Sequence, residues 1–178
     1  MTRYGMLINT KKCVGCYACR IACQMVNGLD HEEAFIKFDE VEQGTYPNVY
    51  AEVVPVQCMH CEDAPCEAVC PTHATYTTDS GVVLVDEGKC IGCKYCMAAC
   101  PYGVRVQIEQ TGVIEKCRFC WYEGEPGNPP RCVNTCVSGA RIFGDLDDPE
   151  SEICQEIART NAQPLASDLT AAKIYYVR

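Results

Sequence analysis

The sequence is short of the residues that most enzymes work with. Histidine occurs three times, at His31, His60 and His73. The three are scattered, so no histidine-built acid–base or metal centre can be read. No glycine-rich loop follows a strand in the pattern that cradles a phosphate. Basic residues are in deficit, 15 against 24 acidic for a net charge of −9, which argues against a nucleic-acid partner. No apolar run approaches the roughly 20 residues that cross a bilayer. Residues 1–12 show neither an apolar signal core nor a twin arginine. The expectation is a peripheral chain without an export signal of its own, either cytoplasmic or exported with a signal-bearing partner. Leaving out cysteine takes the hydrophobic fraction from 48% to about 38%, which is thin for a fold held by side-chain burial alone.

Cysteine is what the chain has in excess, 17 of 178 residues. Sixteen fall into four groups of four: Cys13, Cys16, Cys19 and Cys23; Cys58, Cys61, Cys66 and Cys70; Cys90, Cys93, Cys96 and Cys100; Cys117, Cys120, Cys132 and Cys136. Groups one and three read C-x2-C-x2-C-x3-C. Group two has four residues in its middle gap and group four has eleven. Cys70 and Cys100 are each followed by proline. This is the run with which bacterial-type ferredoxins hold [4Fe–4S] clusters, the fourth cysteine serving the neighbouring cluster. An odd total leaves one thiol over in any all-disulfide scheme. Structural zinc takes two separated cysteine pairs rather than three ligands packed together. Cys154 stands alone in Ser151–Thr160, which reads as a short helix with Ile153 and Ile157 on one face, and is expected to be a small core residue.

The spacing predicts a strand at Tyr4–Asn9, a helix over Cys19–Asn27 stopped by Gly28, and a strand at Val49–Pro55. Residues 32–48 read as mixed and acidic. Hairpins are expected over Thr75–Asp86 and Arg105–Lys116, a Gly/Pro-rich loop at Glu123–Pro130 and a last short strand at Arg141–Gly144. The tail, Gln163–Arg178, reads as extended; its apolar end, Ile174–Val177, is expected to pack against the other lobe or a partner subunit.

The repeating strand, cysteine loop, helix and hairpin predict an α+β fold of two ferredoxin-like lobes, each of the bacterial two-[4Fe–4S] kind, around four clusters. Residues 51–111 would form an inner lobe with groups two and three. Residues 1–50 plus 112–178 would form an outer lobe with groups one and four and the C-terminal tail. Crossing the fourth cysteines gives a ligand map. Site A takes Cys58, Cys61, Cys66 and Cys100, and site B takes Cys90, Cys93, Cys96 and Cys70. Site C takes Cys13, Cys16, Cys19 and Cys136, and site D takes Cys117, Cys120, Cys132 and Cys23. A compact chain of this length has a radius of gyration of about 16 Å, so the sites must be close enough for electrons to pass along them. Arg20, Lys94, Lys116 and Arg118 are candidates to offset cluster charge, against the plainer reading of solvated surface cations. Tyr17, Tyr95, Phe119 and Trp121 are candidates to keep water from the clusters. No cluster lacks a cysteine ligand, so catalysis has to come from a partner.

With these groups in this order, the whole chain resembles the four-cluster iron–sulfur (beta) subunits of the dimethyl sulfoxide reductase family of molybdopterin oxidoreductases. The segments MLINTKKCVGCYACRIAC, EQGTYPN, CMHCEDAPCEAVCPTHA, KCIGCKYCMAACPYGVR, KCRFC and FGDLDDPES are similar to its polysulfide, thiosulfate and arsenate reductase branch. Group four ends Cys136–Val137, where relatives often carry Cys–Pro. The resemblance implies an electron-transfer subunit that is not itself an enzyme. It implies a large catalytic partner holding a molybdenum or tungsten bis-pyranopterin guanine dinucleotide cofactor, often with an integral membrane quinone-reactive subunit. A polyferredoxin-type carrier of a hydrogenase or formate dehydrogenase is the alternative from these residues, and a zinc-stabilised interaction module is the non-redox one.

Overall fold

The computed structural model describes residues 2–122 and 127–178. Part of the loop expected at Glu123–Pro130 lies outside them. The framework is a three-stranded sheet with strand β1 (Tyr4–Asn9) in the middle. Strand β8 (Arg141–Asp145) runs antiparallel on one side, pairing Leu7 with Ile142. Strand β9 (Ile174–Val177) runs parallel on the other, pairing Ile8 with Tyr176. The tail is therefore a strand with its own register.

Side chains alternate along a strand, and β1 is buried on both faces. Met6 and Ile8 enter the main core, which also contains Phe35, Ile36, Val54, Met59, Leu84, Phe119 and Ile174. Cys23, Cys58, Cys61, Cys117 and Cys132 belong to the same cluster. Core and cysteine groups are thus one body. Leu7 faces the other way and packs with Ile153 and Val177 in a second, smaller cluster. Ile153 comes from helix α5 (Glu152–Thr160), whose N-cap Ser151 accepts a hydrogen bond from the Cys154 amide at 3.4 Å. Cys154 is half-buried there, its thiol directed at the carbonyls of Asp145 and Leu146.

Each cysteine group runs through a loop that contains or leads into a short helix. Helix α1 (Ala18–Asn27) ends at Gly28, which has φ 61°. The others are single turns: α2 (Pro65–Ala68), α3 (Tyr95–Ala98) and α4 (Arg131–Asn134). Helix α1 packs on α4 and α2 on α3, so group one meets group four and group two meets group three. The short hairpins are β4–β5 (Thr75–Thr77, Val83–Val85) and β6–β7 (Val106–Gln107, Ile114–Glu115).

Two elements depart from the sequence reading. Strand β2 (Lys37–Thr45) pairs along its length with β3 (Asn48–Val56), from Lys37↔Val56 to Thr45↔Asn48. Only the root of this arm is packed, through Val54, Val56 and Phe38; Tyr46 at the tip is 89% exposed. The segment read as mixed and acidic is a strand held by ladder bonds rather than by a buried face. The tail also contains a short helix, α6 (Ser167–Thr170). Before β9 the tail reaches the group-two loop: Glu62 and Asp63 amides donate to Ala171 and Thr170 carbonyls, and the Lys173 amide donates to the Met59 carbonyl.

Candidate metal centres

Each group opens with a C-x2-C turn whose residue just before the second cysteine has positive φ: Gly15 at 63°, His60 at 45°, Gly92 at 66° and Phe119 at 53°. This left-handed step directs successive backbone amides to one side, making a concavity for an anion. Glycine takes the step at little cost; histidine and phenylalanine do not. The two exceptions face each other. The His60 and Phe119 rings stack with centroids 3.7 Å apart and planes 22° from parallel. Two buried rings at equivalent positions thus join the group-two and group-four loops.

Three cavities of similar size are each lined by four cysteines. One, with about 350 Å³ of empty space, is lined by Cys58, Cys61, Cys66 and Cys100. A second, of about 320 Å³, has Cys70, Cys90, Cys93 and Cys96. A third, of about 370 Å³, has Cys13, Cys16, Cys19 and Cys136. In each, three cysteines come from one group and the fourth from another. The remaining four also interact. Burial pushes the Cys23 thiol up to about 12, and the Cys132 and Cys120 sulfurs push in the same direction. Burial raises Cys117 as well, with Cys23 and Cys132 adding to the effect. Among the described residues no three His, Cys, Asp or Glu side chains are grouped to hold one metal ion; the cysteines surround spaces instead.

The chemistry of these spaces suits a thiolate-ligated, negatively charged group. Arg105 is 3% exposed, and its Nε, Nη1 and Nη2 have no hydrogen-bond acceptor. It lines the first cavity and interacts electrostatically with Cys66 and Cys96. Arg141 is 4% exposed and lines the third cavity. Its Nη1 donates to Gln57 Oε1 at 2.7 Å and lies 3.9 Å from the Cys132 sulfur, while Nη2 has no acceptor. A buried guanidinium with unpaired donors is costly unless an anion answers it. Burial would raise Cys70 and Cys136 too, but donors outweigh it: Thr75 and Thr72 for the first, Ser138 and Ala140 for the second. The Ala140 amide reaches the Cys136 sulfur at 3.3 Å. Both thiols are held below their ordinary value.

Arg105 and Arg141 are not among the cations named from the sequence. The signal is there: each follows the fourth cysteine of its group by five residues, Cys100 to Arg105 and Cys136 to Arg141. Of the named four, Lys94 is exposed and Arg20 half-buried. Arg118 pairs with Glu115 and Glu87. Lys94 lines the second cavity at its exposed rim, and Lys116 lines the first; Lys116 is buried and donates to the Val83 and Cys117 carbonyls. Tyr17 and Tyr95 line the third and second cavities, as shielding requires. Trp121 lies farther out, edge-on to Tyr4. His60 is fully buried; its Nδ1 accepts from the Val83 amide at 3.2 Å and its Nε2 has no partner. Burial, then Lys116, Lys173 and Arg105, push its pKa well below the usual value, so the ring is neutral with its proton on Nε2.

Two family profiles match, both described as a 4Fe-4S dicluster domain, over residues 49–146 and 12–74. The chain is 44% identical to the thiosulfate reductase electron transfer subunit of Salmonella typhi, over 83% of this chain and 79% of that protein. It is 32% identical to the arsenate respiratory reductase iron-sulfur subunit of Shewanella sp. strain ANA-3, over 99% and 96%. It is 41% identical to a sulfite dehydrogenase subunit of Allochromatium vinosum, over 86% and 73%.

Proposed function

This chain belongs to the iron–sulfur subunit family of the thiosulfate, arsenate and dimethyl sulfoxide reductases, and we propose that it carries four [4Fe–4S] clusters and relays electrons for a catalytic partner. The partner is a large subunit with a molybdenum or tungsten pyranopterin cofactor. The far end meets a quinone-linked membrane subunit or a soluble donor or acceptor. Among the described residues no helix is long and apolar enough to cross a membrane; in this reading membrane contact belongs to a partner. Bound clusters supply one-electron exchange; the chain supplies ligands, spacing and charge.

The observation that carries this is the set of three cavities of nearly one size, each lined by four cysteines with the fourth from a neighbouring group. It supports the ligand map A to D above, with site D formed by Cys23, Cys117, Cys120 and Cys132. It also supports an inner lobe of residues 51–111 and an outer lobe of 1–50 plus 112–178. The division runs through the hairpins β2–β3 and β6–β7, which tie the lobes together.

The side chains between sites support the order B, A, D, C. Arg105 interacts with Cys66 of site A and Cys96 of site B. Arg141 interacts with Cys132 of site D and Cys19 of site C. The His60–Phe119 stack lies between A and D. Cys93 and Cys16, the exposed cysteines, belong to the outermost sites B and C. Electrons would enter at one end and leave at the other. Relatives named as reductases and as a dehydrogenase fit a relay whose direction is set by its partners.

The test is iron, zinc and acid-labile sulfide per chain on anaerobically purified material, with spectra before and after dithionite. The expected result is about 16 iron and 16 sulfide with a visible band that bleaches, in a complex with a large molybdoprotein. About four zinc without sulfide would overturn it.

A further inference from the structure

The residue preceding the first cysteine of group two is Gln57, and the residue preceding the first cysteine of group four is Lys116. Both are buried, at 0% and 1% exposure. Each sends its side chain across the junction between lobes. Lys116, next in sequence to a site D cysteine, lines the site A cavity and acts electrostatically on Cys58. Gln57, next to a site A cysteine, directs Nε2 at the Cys117 sulfur of site D, 3.9 Å away. Its amide orientation is fixed, because Oε1 accepts from Arg141. The two positions are equivalent in the repeat, but one holds a cation and the other a neutral amide.

The other charges do not even this out. Each site has one arginine, Arg105 for A and Arg141 for D. Site A has in addition Lys173, 2% exposed, which acts on Cys61 and Cys58. Two carboxylates act on these cations, Glu115 on Lys116 and Glu62 on Lys173, but each is itself paired with a further arginine, Arg118 and Arg3, so the site A side keeps its excess of positive charge. A positive charge favours the more negative, reduced state of a neighbouring cluster, and inside a protein its effect is weakly screened.

We propose that Lys116 and Gln57 are positioning residues for electron exchange across the junction, the ammonium on one side and the neutral amide on the other holding the group in site A at a higher midpoint potential than the group in site D. Electrons from either end then settle first on the inner-lobe side of the junction. The proposal rests on the ligand map proposed above.

The experiment uses the complete anaerobically purified complex and four variants of this chain: K116Q, K116R, Q57K and Cys66→Ser. Iron content is measured first, then midpoint potentials by EPR-monitored titration. Cys66→Ser identifies the site A signal as the one it alters. K116Q, which places at 116 the residue found at 57, is expected to retain its iron and to lower the midpoint of that signal. K116R, which keeps the charge, is expected to leave it in place. Q57K is expected to raise a different signal, that of site D. Full iron with an unmoved site A midpoint in K116Q overturns the proposal. If K116Q loses iron, Q57K decides: no signal shifted upward overturns it. If Cys66→Ser alters no signal, the ligand map has failed, a result separate from either.

Discussion

Arg141 donates to Gln57 at 2.7 Å although 84 residues separate them in the chain. Both residues are buried. The contact joins the strand after group four to the residue that precedes group two, and so couples the surroundings of Cys19 and Cys132, on which Arg141 also acts, to those of Cys58.

The two buried arginines should therefore act on pairs of sites. Arg105→Gln is expected to lower two midpoint potentials, those of A and B, and leave the others. Arg141→Gln should do the reverse. At an effective dielectric of about 20, a unit charge roughly 7 Å away is worth about 2 kcal/mol, or on the order of 100 mV for one electron. An EPR-monitored titration reads this directly. A shift in a single signal for each variant would show that the arginines are not shared.

Phe119 takes a left-handed backbone step in order to place its ring on His60. Phe119→Gly removes a strain of roughly 1–2 kcal/mol but also a buried ring worth about 3–5 kcal/mol. The net expectation is a loss of about 1–4 kcal/mol, read as a lower guanidinium midpoint for bleaching of the visible band. An unchanged midpoint would show that the stack does not hold the lobes together.

The tail is expected to matter for one site more than the rest. Its backbone at residues 170, 171 and 173 hydrogen-bonds residues 63, 62 and 59, the loop that bears Cys58 and Cys61. Ending the chain at Ala162 should remove about four of 16 iron atoms and one EPR signal. Retention of all the iron would mean that the group-two loop holds its shape unaided.

Arg178 pairs with Glu52 at 2.7 Å, and Glu52 also accepts from Thr10 at 2.7 Å. The guanidinium's hydrogen bond, more than burial opposes it, holds the Glu52 carboxyl below its ordinary value. A carboxyl depressed in the folded state stabilises above its unfolded pKa of about 4.3 and loses that stabilisation as pH falls through the folded value. The exchange protection of β9 amides in the native chain should therefore exceed that in Arg178→Gln at pH 6, with the gap closing as pH falls below about 4.5. A gap independent of pH would assign the effect to packing.

What could be read from sequence follows from how locally each feature is written. The cysteine groups, β1, α1, α5 and the short hairpins β4–β5 and β6–β7 are set by spacing, caps and alternation within a few residues. Strand β2 has no such mark. KFDEVEQGT has no fully buried residue and only Phe38 packed on the core, so it owes its conformation to its partner, β3. The parallel register of β9 on β1 depends on residues some 168 positions apart, which no local pattern records. Gln57 carries no mark in the sequence and Lys116 is one of four candidate cations there; that both are buried follows from long-range packing that no local pattern records. Arg105 and Arg141 were within reach, because their offset from the fourth cysteine repeats, but an arginine after a turn reads as a surface residue until both copies are compared.

The central strand has a consequence for synthesis. Residues 4–9 leave the ribosome long before their neighbours in the sheet, one of which is made at 141–145 and the other at 174–177. At roughly 5–20 residues per second, β1 waits many seconds for either. Through that interval the first cysteine group has no Cys136 beside it, and the core has no floor. Iron delivered to the nascent chain in that interval would meet an incomplete cysteine set beside the first group, so that site has to be filled after Cys136 is made.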